Sequence, residues 1–281
     1  MCFDDECAGK HLDRREFVAE GAAALAALGG LAGSVQGQGK PPTRVLADPT
    51  IQHGPVTFTH NEKPTIDGYL ARPKAEGRYP AVLVVAGNVI TEEYIPNTCA
   101  ALAVAGFVGL APNIFHYIPP GTPNTSEAYA KLGVHGDQDR LDDIQAGKSY
   151  LRSQPFVAPE RTGILGFCSG GRAALLFAAR SREIDAVVAF HPAATTASEI
   201  ARVVVPVQIH HGTGDHVVDY GKSQELVRIL NARKIPVEAF YYDGADHGFL
   251  AYTRNPEYNP KAAVLAWTRT REFLQRHLKT G

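Results

Sequence analysis

Thr162-Gly163-Ile164-Leu165-Gly166-Phe167-Cys168-Ser169-Gly170-Gly171-Arg172-Ala173-Ala174 is the stretch on which the fold turns. An apolar run of strand type leads into a cysteine with glycine two positions away on either side, and an alanine-rich helical segment follows. A strand that passes into a helix through one residue must turn sharply, and the residue at the tip takes a strained backbone conformation. Gly166 and Gly170 leave the room that neighbouring backbone needs to pass close by. The segment therefore predicts a nucleophile elbow with Cys168 at its tip. Ser169 does not fit that role, because the position two residues upstream of it is Phe167 rather than glycine. The turn also puts the Cys168 sulfur at a helix N-terminus, where peptide dipoles and free N–H groups favour negative charge.

Outward from the elbow, strands and helices alternate. Residues 56–73 alternate apolar and polar around Asn61-Glu62-Lys63-Pro64, which predicts an antiparallel hairpin at a sheet edge. Short, largely apolar runs follow at residues 81–86, 107–111, 163–167, 186–190, 205–210 and 237–242. Runs with so little polar alternation suit parallel strands buried on both faces. Helical periodicity appears over residues 137–154 (Leu141, Ile144, Leu151), 221–233 (Leu226, Ile229, Leu230) and 260–278 (Val264, Trp267, Phe273, Leu274). This order predicts an α/β fold, a doubly wound, mostly parallel sheet with an antiparallel N-terminal hairpin, whose functional loops gather at the carboxyl ends of the strands. Residues 113–136, rich in Pro, Gly, Thr and Tyr, form a loop beside that site.

A thiolate nucleophile needs a base to manage protons and a carboxylate to hold the base. Gly212-Thr213-Gly214-Asp215 follows one apolar run and Asp243-Gly244-Ala245-Asp246-His247-Gly248-Phe249 follows the next, so Asp215 and His247 both stand at strand ends. The chain order Cys168, Asp215, His247 is the α/β-hydrolase order. Asp246 and His216 are the adjacent competitors and are assigned to loop solvation. His210, His211, Asp215 and His216 do not make a metal set, because strand alternation points the two neighbouring histidines to opposite faces. Cys99, among alanines in a helical segment, is assigned as a small buried apolar residue.

These motifs, with Asp67-Gly68-Tyr69-Leu70-Ala71-Arg72-Pro73 and the helix carrying Ala262, Ala263, Ala266, Trp267 and Phe273, resemble the dienelactone hydrolase family over nearly all of the chain after its leader. The resemblance implies the α/β-hydrolase fold, a triad of Cys168, Asp215 and His247, hydrolysis of an ester or lactone through a thioester-like acyl-enzyme, and no cofactor or metal. The backbone N–H groups of Asn88 and Ser169 would form the oxyanion hole. Three positions depart from the family pattern. Gly87 stands where members usually carry a glutamate that contacts the resting cysteine, so the Cys168 proton would pass directly to His247. Tyr117 and Ala251 stand where dienelactone hydrolases place carboxylate-binding arginines, and Arg254 lies three positions from the second. Phe115, Tyr117 and Phe249 are the expected aromatic surroundings of a neutral substrate, and Arg254, with its long side chain on the loop after His247, is the residue that would restore one carboxylate contact.

Residues 1–37 stand apart from the domain of residues 38–281. Asp13-Arg14-Arg15-Glu16-Phe17-Val18 precedes an Ala/Gly/Leu stretch from Gly21 to Gly33, the pattern of a cleaved twin-arginine export signal, which implies a periplasmic protein. The glycine-broken apolar run is too short for a stable membrane anchor. Removal of this leader takes Cys2 and Cys7 with it and leaves no disulfide framework. The formal net charge of -1 gives no footprint for nucleic acid, so the expected partner is a small ester or lactone. The same triad could serve another electrophile, such as a phosphotriester or an activated amide, and a non-catalytic binding protein on this fold is the alternative outside enzymes.

Overall fold

The computed structural model describes residues 44–59, 65–87, 93–116, 136–253 and 256–279, all within one compact unit of residues 39–281. Residues 1–43, which hold the expected export signal, most of the loop after residue 113, and Asn88, Tyr117 and Arg254 lie outside the described residues. Eight strands, β1 (Ile51–Phe58), β2 (Ile66–Pro73), β3 (Tyr79–Val85), β4 (Val108–Pro112), β5 (Val157–Phe167), β6 (Ala186–Phe190), β7 (Val207–Gly212) and β8 (Val237–Tyr242), form one sheet in the order β1-β2-β4-β3-β5-β6-β7-β8. β1 pairs antiparallel with β2 and β2 antiparallel with β4. All later pairings are parallel.

Among the described residues, five helices cover the sheet: α1 (Tyr94–Val104), α2 (Gly136–Ser153), α3 (Ser169–Arg180), α4 (Gly221–Ala232) and α5 (Pro260–Leu278). Strand alternation at β7 separates the two faces, since His210 reaches Thr270 of α5 while His211 reaches Ser223 of α4. The last helix starts where its sequence signals it should. Asn259 accepts a hydrogen bond from the Ala262 amide at 3.1 Å, and Pro260, which has no N–H to lose, takes the first turn. Its Trp267, Phe273 and Leu274 are buried.

The central strands β3, β4 and β6 are buried nearly throughout because helices lie on both sides. β5 is longer than its apolar run: it reaches back to Val157, which pairs with Tyr79 across an irregularity in the register. β7 is displaced by two residues from the predicted run. Pro206 cannot donate to the ladder, and His211 and Gly212 continue the strand by pairing with Tyr241 and Tyr242. β8 is only half-buried because it is an edge strand, and its Glu238 pairs with Gln208 and Arg276 instead of entering the core.

Beneath the carboxyl ends of β5, β6 and β7 lies an aromatic stack. Phe190 is fully buried, 5.1 Å from the Phe167 ring and 4.6 Å from the His210 ring. This layer supports the elbow from below, so Phe190→Ala is expected to lower the unfolding free energy by about 3–5 kcal/mol. Urea unfolding of the two proteins, followed by tryptophan fluorescence, measures that difference.

Candidate active site

Cys168 directly follows β5 and precedes α3, with φ +52 and ψ −119. A non-glycine residue held at such angles costs of order 1–3 kcal/mol and persists only where its surroundings over-determine it. Here the backbone does so. The Cys168 amide donates to Phe190 O at 3.0 Å, and its carbonyl accepts from Arg172 N and Ala193 N, each at 3.1 Å. A Cβ at Gly166 would collide with the Gly170 carbonyl, and one at Gly170 with the Val85 carbonyl. The glycines that flank the cysteine are therefore required by close approach of backbone to backbone.

Asp215 and His247 meet across the loops that follow β7 and β8. His247 Nδ1 lies 2.8 Å from Asp215 Oδ2. A carboxylate can only accept, so Nδ1 carries the proton and Nε2 is left to face the sulfur. The other carboxylate oxygen, Oδ1, accepts from the amides of Val217 and Val218, both at 2.8 Å. The two loops are tied together by Thr213 N to Tyr242 O at 2.9 Å and Gly214 N to Ala245 O at 3.0 Å.

His211 adds a support that the sequence did not signal. Its side chain is fully buried, and Nε2 approaches both Val218 O at 2.9 Å and Asp215 Oδ2 at 3.1 Å, while the Ser223 hydroxyl lies 2.6 Å from Nδ1. His211 thus holds the acid that holds His247. By contrast His210, its neighbour, is a core residue between Gln208 Oε1 and the Tyr242 hydroxyl, each at 2.8 Å. Complete burial, with Arg269 nearby, pushes its pKa down to about 3, so the ring is neutral.

The charges of the site follow from the same contacts. Burial alone would raise the Asp215 pKa, but hydrogen bonds from His211 and His247 hold the carboxyl far below its usual range. For His247 burial disfavours the imidazolium, and the bond to Asp215 together with the Cys168 sulfur overcomes it, raising the pKa to about 9.

His191, also unsignalled as a site residue, stands at the carboxyl end of β6 with φ +36. Its ring centroid is 4.0 Å from that of His247. One ligand atom each of Cys168, His191 and His247 lie within 4.8 Å of one another. A polar residue immediately after an apolar strand was the available clue, the same one that marks Asp215 and His247.

Other expectations are revised. Phe115 and Phe249, expected to face the substrate, are 1% and 0% exposed, and Phe249 packs on Tyr242 and Phe190. Both are core residues and offer no surface to a ligand. Ala251 is also buried. Asp246 and His216 do more than solvate loops: their side chains pair at 2.6 Å, and Asp246 Oδ1 accepts from the His247 amide at 2.7 Å, which joins the acid loop to the histidine loop. Glu93 does not take the place of the glutamate absent at Gly87, because it accepts from the Tyr252 hydroxyl at 2.7 Å. At Gly87 a Cβ would lie 2.6 Å from Phe167 O and 3.0 Å from Cys168 Cβ, so this backbone leaves no room for any side chain. Ser169 Oγ closes the contact by donating to Gly87 O at 3.0 Å. Cys99 is fully buried, which raises its thiol pKa far above the usual value.

Comparison with known proteins agrees with this architecture. The sequence model described as "Dienelactone hydrolase family" matches residues 66–278. A "probable 2-oxo-3-(5-oxofuran-2-ylidene)propanoate lactonase" of Bradyrhizobium is 34% identical over 224 residues, 75% of this chain and 89% of the relative. A carboxymethylenebutenolidase of a Pseudomonas species is 32% identical over 215 residues, 74% of this chain and 89% of the relative. The crystal structure of a dienelactone hydrolase-like promiscuous phosphotriesterase from metagenomic libraries superposes with a TM-score of 0.68 at 22% identity, covering 82% of this chain and 99% of the other.

Because folding raises the His247 pKa above its usual 6.5, the group favours the folded state most fully below about pH 6.5, and that contribution fades as pH rises through 9. NMR titration of the His247 ring is expected to show the imidazolium persisting to near pH 9. In Cys168→Ala, which removes one of the two partners that raise it, the midpoint is expected to fall, and an unchanged midpoint would remove the sulfur from the pair.

Proposed function

The chain belongs to the dienelactone hydrolase family, and from that premise we propose that it cleaves a neutral carboxylic ester or lactone, with Cys168 as nucleophile, His247 as base and acid, and Asp215 as the residue that orients His247. It is a hydrolase acting on lactone or ester bonds. The observation that carries the finer reading is the bond of 2.8 Å between His247 Nδ1 and Asp215, which turns Nε2 toward the sulfur at the tip of the elbow. That geometry needs neither metal nor cofactor to begin the reaction.

The thiolate attacks the carbonyl carbon, and the electron pair of the C=O bond moves onto oxygen. The backbone N–H of Ser169, first residue of α3, and that of Asn88 are the donors proposed for this oxyanion. Collapse breaks the bond to the leaving oxygen, which takes the Nε2 proton of His247, and a thioester remains on Cys168. Water then attacks the thioester as Nε2 removes its proton, the C–S bond breaks, and the acid is released with the thiolate and imidazolium restored. With Gly87 in place of a glutamate, the proton passes only between sulfur, imidazole, leaving group and water.

Ala251 and Tyr117, standing where the family places carboxylate-binding arginines, favour a neutral substrate. A hydrogen bond to a charged group contributes about 1.5–3 kcal/mol, so the loss of two weakens an anionic substrate's transition state by roughly a hundredfold or more. The test is a neutral aryl ester, its carboxylate-bearing analogue and an aryl phosphotriester. Wild type is expected to prefer the neutral ester; Cys168→Ala and His247→Ala are expected to lower kcat by about three orders of magnitude or more, and Asp215→Asn somewhat less. Near-normal ester hydrolysis by Cys168→Ala overturns the nucleophile, and faster turnover of the phosphotriester moves the chain to a different electrophile.

The proposal extends to location. Arg14-Arg15 ahead of a glycine-interrupted apolar run supports export of the folded enzyme to the periplasm. Replacing both arginines by lysine is expected to leave uncut precursor in the cytoplasm, and mature enzyme outside it in that variant would refute the signal.

A further inference from the structure

The hydrolytic reaction gives His191 no part, yet the fold holds this residue in place at some cost. It is 6% exposed, its φ is +36, and its ring sits 4.0 Å from His247. A non-glycine residue at positive φ in a well-packed site signals a constraint that the surroundings maintain. The result is a thiol and two imidazoles whose ligand atoms lie within 4.8 Å of one another, with Cys168 still partly open to solvent.

A cysteine sulfur and two histidine nitrogens are donors that Zn2+ prefers, and three protein ligands with a fourth position open is the pattern of zinc sites that keep an exchangeable ligand. Zinc-binding histidines also usually donate their second ring N–H to a carboxylate, which fixes the tautomer and strengthens the ligand. His247 meets that requirement through Asp215, itself held by His211 and two backbone amides. We propose that Cys168, His191 and His247 form a binding site for Zn2+, and that occupancy by the ion reversibly silences the cysteine. The binding site rests on the geometry alone, and the silencing rests on the proposed triad.

Ligand atoms around tetrahedral zinc lie roughly 3.3–3.6 Å apart, so the three side chains must close by about 1 Å, within reach of rotation about the Cys168 and His191 side-chain bonds. One Zn–S bond and two Zn–N bonds form. The proton shared between Sγ and His247 Nε2 leaves to water, and no electron is transferred. The lone pairs that would attack the ester and remove a proton from water are then both engaged by the metal.

The test uses the metal-free mature protein, titrated first with Co2+ as a spectroscopic probe for Zn2+. Wild type is expected to give a thiolate-to-cobalt charge-transfer band that saturates at one ion per chain and that Zn2+ abolishes. The band is expected to be absent in Cys168→Ser. His191→Ala and the bulk-preserving His191→Phe are each expected to weaken Zn2+ binding at least tenfold, the lower bound for disturbing such a site. Ester hydrolysis by wild type should fall with the same Zn2+ midpoint and return with EDTA. Absence of the band in wild type, or zinc affinity indifferent to both His191 variants, overturns the site. A full charge-transfer band in a protein that hydrolyses none of the esters sustains the site and overturns the hydrolytic reading instead.

Discussion

The structure depends on one crowded crossing of backbone. Where β5 turns into α3, the carbonyls of Val85, Phe167 and Gly170 pass so close to Gly166, Gly170 and Gly87 that none of the three glycines can carry a side chain. Hydrogen bonds from Cys168 N to Phe190 O and to Cys168 O from Arg172 and Ala193 then leave the cysteine only its strained conformation. Strain of this size persists because many separate contacts would have to break together to relieve it. The sulfur is held out at the tip, partly exposed, between buried Phe167 and Gly170.

The same crossing leaves Gly87 without room for a side chain. The backbone at Gly87 packs against Phe167 O and the Cys168 Cβ, and the Ser169 hydroxyl binds its carbonyl. A carboxylate at this position would need a different path for the chain after β3. The burden of holding His247 falls on Asp215, His211 and the loop amides.

Four histidines of the region separate by what surrounds each of them. His210 is stacked among aromatic rings in the core, where burial wins and the ring stays neutral. His247 is buried too, but a carboxylate and a sulfur outweigh burial and favour the charged ring. His211 faces the other side of the sheet from His210 and is spent on orienting Asp215. His191 comes to lie against His247 because β6 and the strand-end loop of β8 converge at the carboxyl edge of the sheet. Identical residue types thus take four roles, set by face, depth and neighbouring charge.

The sequence by itself determined the alternation of strand and helix, the elbow at Cys168 and the placement of Asp215 and His247 just after strand ends. Those features are written in local terms: apolar runs of strand length, glycines two positions from a cysteine, and polar residues directly after strands. It also showed that His210 and His211 diverge, since side-chain alternation is a property of any strand. Only the tertiary structure decided that β7 runs on through Gly212, that Phe115 and Phe249 are core residues, and that Asp246 pairs with His216. The support of Asp215 by His211 and the placement of His191 beside His247 were likewise beyond the sequence. Except for His211 and Asp215, which are four positions apart, each of these depends on which chain segments, 30 residues or more apart, pack at the same edge of the sheet. Periodicity along one segment carries no information about which neighbour will cover it, and that neighbour sets both burial and charge.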